Sequence, residues 1–425
     1  MKNFKIIIYV AVLVVAAALG QQIISLSKDN QLRKQDYGDI NNIKYGLFSI
    51  NQWKEQLSEI INSEISDLDL KGNEKEIKPM IEAQLNQLID GVNKKMKEKN
   101  KTTVKGKVKQ AFINTFVDLD DIKEGIPKYA DDIIKMLQKP KSKRNLKGLL
   151  QGKVDNYFEN TFQIQDMTLI NDIILRSGAA DLASAKIKLN QDILVAQNKI
   201  FNLTWILISL AAALFIFAGF SENLPSAQYI ILVLVLFILL ISGVTVPMID
   251  LEAKISEMSF LLFDHAVQFL DQILYFQTKS VLDVFWIMIT HRDIQMKIVG
   301  LLMVLFSVAF PVTKLISSVL YYYNHWKARE NKWIQFFVLK SGKWSMTDVM
   351  IIAIFMAYIG FNGLIASQFD KLHSADSEIV LLTTNGTSLQ PGFYLFLTYT
   401  ILALFLSEFL TRKSKSAQIN DRIIT

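Results

Sequence analysis

The chain has 425 residues, 51% of them hydrophobic, with a mean hydropathy of +0.26 and a formal net charge of +6. A soluble domain is rarely so apolar, and the charge is unevenly placed: residues 26–200 are dense in Lys, Glu and Asp, whereas 203–411 hold several nearly uncharged runs, so one part is built for water and the other for lipid. Cysteine is absent, which excludes disulfides, thiolate zinc and iron–sulfur sites and cysteine nucleophiles; the four histidines (His265, His291, His325, His373) lack ligand spacing, so neither metal nor cofactor is expected, and the positive residues flank apolar segments, which argues against nucleic acid.

Six segments are long and apolar enough to cross a hydrocarbon core of about 30 Å, which takes about 20 helical residues: 4–25, 203–220, 228–249, 298–320, 346–367 and 392–410. The first has Lys2 and Lys5 at its start and Ala16-Ala17-Ala18-Leu19-Gly20 near its end, so it fits an uncleaved anchor or a cleaved signal peptide. Either choice puts residue 26 across the membrane. Lys and Arg accumulate in short cytoplasmic loops. The loop with Lys327, Arg329, Lys332, Lys340 and Lys343 and the tail with Arg412, Lys413, Lys415 and Arg422 are therefore expected inside, and the loop with Asp370, Asp376 and Glu378 outside. Both termini are then cytoplasmic unless the first segment is removed.

Residues 26–200 read as a mainly helical extracytoplasmic domain. Spaced Ile, Leu and Phe among charges mark helices over Ile50–Leu68, Glu74–Lys97, Lys105–Phe116 and Lys128–Leu137. From Ala180 to Phe220 there is no proline and no glycine before Gly219, which predicts one long helix rising into the second span. The role of this domain is open between a packed adaptor and a surface that docks a partner or handles lipid.

Further along, Ile255–Phe263 and Val267–Gln277 read as two strands of a hairpin around Asp264-His265-Ala266. Glu378–Thr384 and Thr387–Gln390 flank Asn385-Gly386, the strongest short hairpin signal. The pieces are expected to form a small outer sheet. A helix over Ser280–Thr290 follows, with Trp286 at the membrane interface.

Ionisable groups inside a span cost several kcal/mol and are functional candidates by default. Two stand out: Lys314 in the fourth span and Asp348 near the start of the fifth, both in the inner half of the membrane. Ser307 is seven residues before Lys314 and Ser345 three before Asp348, so helical spacing predicts a polar cluster between two antiparallel helices, with Thr313 and Thr347 at its edge. Pro311 frees the carbonyl of Ser307 and predicts a kink there. The local alternative is that Lys314 snorkels to the interface and Asp348 caps a helix.

The run from Gly300-Leu301-Leu302 through Phe310-Pro311-Val312-Thr313-Lys314-Leu315, followed by Lys343-Trp344-Ser345-Met346-Thr347-Asp348-Val349, resembles the signature of the paraquat-inducible protein A family. Val246-Pro247 ending the third span, Tyr275 to Val284 in the outer loop, and Gly392-Phe393-Tyr394 opening the last span extend the resemblance over about 225–412. It implies one tetraspanin- or claudin-like four-helix module with a small outer β-sheet. The chain then divides into an anchor or signal (1–25), the helical periplasmic domain (26–200), a second span with its loop (201–224), the module (225–412) and a tail (413–425).

The resemblance also implies an inner-membrane component of envelope lipid transport, with phospholipids and a mammalian-cell-entry domain protein as partners. An intramembrane network would map onto Ser307, Lys314, Ser345 and Asp348, with Thr400 or Thr398 of the last span, coupling proton movement to lipid loading or release. Pro311, Trp344, Pro247 and Gly392 would be structural. Many relatives carry two modules and cysteine zinc ribbons; this chain has one module and no cysteine, so zinc is not expected. The other reading is a membrane-anchored sensory or scaffold protein with a ligand- or partner-binding periplasmic domain. No paired catalytic carboxylates, Ser–His arrangement or phosphate loop is present, so no enzyme is expected.

Overall fold

The computed structural model describes residues 2–67, 78–79, 81–87, 90, 125–126, 128, 130–131, 152, 156, 166–220, 226–262, 265–340, 347–373 and 379–424. Helix α1 (Lys2–Ile40) runs unbroken past the first apolar segment. Up to Lys34 its buried positions are Tyr9, Ala16, Gly20, Ile23, Ser27, Asn30 and Lys34, spaced by three, four and seven, so they form one stripe. After α2 (Ile50–Asp67) and α3 (Thr168–Ser177), helix α4 (Leu182–Gly219) packs along α1 through a matching stripe that includes Ala185, Leu189, Ile200, Leu207, Ala211 and Leu214. The long helix expected from Ala180 onward is thus present. Asp181 caps it by accepting from the Ser184 N–H at 2.7 Å.

Helix α5 (Ser226–Thr245) stands at the centre, touching α1 and the last helix, α9 (Pro391–Ile424), most extensively. Leu232, Val235, Leu236 and Leu239 on it are fully buried. Close approach depends on missing side chains. A Cβ on Gly20 of α1 would lie 2.8 Å from Ile238, and one on Gly243 of α5 would lie 2.9 Å from the backbone nitrogen of Phe396 in α9.

Strands β1 (Ile249–Leu262) and β2 (His265–Lys279) form an antiparallel hairpin that extends farther at its base than expected. Its inner end meets α6 (Val281–Thr290), where Ser280 and Asp283 form a capping box and Trp286 is exposed. Its far half carries Ile255, Met258, Phe260, Val267 and Phe269, on which Trp53 and Leu57 of α2 pack, so the outer segment and the sheet share a core. Then come α7 (Ile294–Tyr323), α8 (Thr347–His373), β3 (Ile379–Asn385) and β4 (Ser388–Leu389).

One expectation is corrected. Asn385-Gly386 does not turn a hairpin: β4 and the end of β3 pair with β1 in one register, Ala253 opposite Asn385 and Asp250 opposite Ser388, and the register shifts by one residue only farther along, between Ile255 and Glu257. The fourteen-residue β1 is long enough to pair with both pieces, and Glu252 fills the place where a Cβ at residue 386 would sit, so glycine serves passage rather than reversal. Among the described residues five helices, α1, α4, α5, α7 and α9, are long and apolar enough to cross a membrane, and α8 adds a described apolar stretch over Thr347–Phe361. The helices expected over Glu74–Lys97, Lys105–Phe116 and Lys128–Leu137 lie largely outside the described residues.

Candidate functional site

Proline has no N–H to give to the carbonyl four residues back, and its ring crowds that carbonyl. In α7 the consequence falls just before Pro311: Leu305–Ala309 widen into a π-turn, and the Phe310 N–H reaches back to the Leu305 carbonyl. Such turns interrupt helices at functional sites more often than elsewhere. Ser307 is buried in this turn and donates its hydroxyl to the Met303 carbonyl at 2.6 Å; Thr313 donates to Ala309 at 2.8 Å. Lys314 follows, half-buried, and its ammonium makes no hydrogen bond or ion pair among the described residues.

The expected pairing of Lys314 with Asp348 is not formed. Asp348 is exposed in the first turn of α8, where a carboxylate suits the positive end of the helix dipole. Ser345 and Trp344 lie outside the described residues. Thr398 and Thr400 spend their hydroxyls within α9, on the carbonyls of Tyr394 and Phe396. Two physical reasons separate the groups that helical counting brought together. The π-turn adds a residue to one turn, so a spacing of seven no longer closes two turns. The stretch after the α7 loop is also not simply a loop: Lys332–Gln335 is helical and Phe336–Lys340 a second π-turn, with Phe337 against Phe310 at 5.5 Å and Val338 buried in the membrane-level core. This segment flanks α7 one turn before Lys314, and α8 meets α7 at the π-turn instead.

Of the residues expected to be structural, Pro311, Pro247 and Gly392 lie in close packing, and Trp344 is outside the described residues. Pro311 is buried, and the Pro247 carbonyl accepts the Gly392 N–H at 2.9 Å. A Cβ on Gly392 would lie 2.2 Å from the Val246 carbonyl oxygen, a contact only glycine permits.

Sequence reasoning missed a second polar group, outside the membrane core. Lys34 of α1 is buried and donates to Asp250 of β1 at 2.5 Å and to Gln390 at 3.1 Å, while Gln31 donates to Asp283 of α6 at 2.8 Å. The signal was present: Gly20, Ser27 and Lys34 are seven apart on the buried stripe.

No curated protein and no solved structure matches the chain. Over residues 273–384, the stretch that holds the proline-broken helix, Lys314 and Asp348, the chain matches the family model of Paraquat-inducible protein A.

Proposed function

We propose that this protein is a bacterial inner-membrane subunit of an envelope lipid transport system, not an enzyme, loading or releasing phospholipid for a mammalian-cell-entry domain tunnel protein. The observation that carries the reading is the family match over a membrane helix whose one deep cation has no protein counter-charge among the described residues. An ammonium at that depth is expensive unless an anion joins it. A phospholipid phosphate is the anion at hand, and Ile316 on α7 and Val349 and Ile352 on α8 present apolar flanks toward lipid.

The test is photo-crosslinking in living cells from positions 316 and 349, in the full chain and in Lys314→Met. Loss of phospholipid adducts by about tenfold, with insertion unchanged, is the expected result. Equal adduct yields in both proteins would remove Lys314 from the pathway. Asp348→Asn separates the proton-coupled version: it stops transport if α8 must deliver its carboxylate to Lys314, and leaves it intact if phosphate alone is the counter-ion.

The sensory or scaffold reading draws on α1 and α4, which run without a break from the apolar segments into the outer segment. Purification free of phospholipid and of any mammalian-cell-entry protein would favour it.

A further inference from the structure

Where α1 leaves the apolar core, a pocket of about 20 Å³ opens between α1, α4, the end of α5, β2 and the start of α9. Ser27, Asn30, Lys34, Thr278 and Gln390 bring polar groups to it, over apolar walls that include Pro247 and Pro391. Ser27, Asn30 and Thr278 are 5%, 4% and 1% exposed. Ser27 Oγ, Asn30 Oδ1 and Thr278 Oγ1 have no hydrogen-bond partner among the described residues, and neither does Asp250 Oδ1, on the carboxylate that holds Lys34. Lys34 has three N–H donors and uses two, on Asp250 and Gln390.

Buried polar atoms are almost always paired, and several orphans around one pocket need a common partner. Volume and charge identify it. About 10–15 Å³ accommodates one water, given two to four polar contacts. A cation would face the Lys34 ammonium, and an anion would face the Asn30 carbonyl oxygen beside an ammonium that the Asp250 carboxylate already neutralises. A neutral molecule that both donates and accepts suits every group present.

We propose that this pocket is an internal water site, and that the water together with the Lys34–Asp250 pair forms the latch that seats α1 on β1 and α9. The proposal goes beyond the transport reading and stands whether or not that reading holds.

The sign of two mild substitutions decides it, measured by thermal melting of the full chain in detergent. Were the pocket dry, Thr278→Val and Ser27→Ala would each delete an unpaired buried hydroxyl and raise the melting temperature. Intrinsic preference pushes the same way, because Val favours strands and Ala favours helices. With the water in place each variant strips it from the remaining partners, so each melts lower by about 2–4 °C. The double variant then loses less than the sum, because one water is lost once. Exchange of the α1 amides over residues 27–40 accelerates by about tenfold in Thr278→Val while α5 stays protected. Unchanged or higher melting temperatures would overturn the water site. Unchanged exchange in a protein that melts lower would overturn the latch.

A second measurement does not depend on any variant. Hydroxyl-radical labelling of the native chain in ¹⁸O-water is expected to give Pro247 and Pro391 a label that exchanges more slowly than surface positions. Label that exchanges as fast as at the surface, or none at either proline, overturns the proposal.

Discussion

From Tyr9 to Ile23 the buried stripe of α1 meets its neighbours through apolar and small residues, whereas from Ser27 to Lys34 the same stripe is polar and ends in a buried ion pair. One helix thus uses two ways of holding its partners. Within lipid there is little hydrophobic drive between helices, so association rests on shape, and glycines at positions 20 and 243 let neighbours approach. Beyond the apolar core, water competes for every polar group, and a charge pair becomes useful for choosing one register rather than for raw stability. The lower joint is a matter of fit, the upper one of matched partners.

Gly243→Leu should break the lower joint most severely. The added side chain has nowhere to go against the backbone of Phe396, and no monodisperse protein is expected on size exclusion after solubilisation. A normal elution profile would mean that α5 and α9 do not depend on this approach. At the upper joint, Lys34→Met strands the Asp250 carboxylate and should cost about 3–5 kcal/mol, while Lys34→Met combined with Asp250→Leu recovers most of it. A single-variant loss below about 1 kcal/mol, the range of an exposed pair, would erase the contrast between the joints.

The smallest effect belongs to Glu252, two residues along β1 from Asp250. Burial pushes its carboxyl above the ordinary range; Lys254 pulls it back, Asp250 and Asp271 add to the rise, and Lys34 opposes it. The folded protein therefore holds this proton more tightly than the unfolded chain, and stability falls as pH climbs from the usual carboxylate value through the raised one. Glu252→Gln should flatten that slope, melting about 1–2 °C higher at neutral pH and no higher near pH 4. An equal gain at both pH values would show that the carboxyl is not strained by its charge.

What the sequence disclosed was whatever depends on near neighbours. The helix from Ala180 to Phe220 follows from missing breakers, and the helix from Ser280 and the strands around residue 265 follow from local pattern. It misread what depends on distant partners. Asn385-Gly386 carries a turn signal, but only β1, more than a hundred residues away, makes the straight path available. Ile334, Phe337 and Val338 lie between lysines and read as a basic loop until Phe310 and the core supply a surface for them. Counting in helical turns joins Ser307 to Lys314, and the widened turn before Pro311 spoils the count; equal depth joins Lys314 to Asp348, and depth does not say which way a side chain faces.

The in-line passage of the chain through Gly386 has a mechanical result. Met248 donates to Lys279, Gln390 donates to Met248 and Gly392 donates to Pro247, all through main-chain groups. The exit of α5, the base of the hairpin and the root of α9 are thereby riveted by backbone alone. Because α2 packs its side chains on the far half of the hairpin, a tug on α2 enters β1 there and reaches the root of α9 through main-chain bonds.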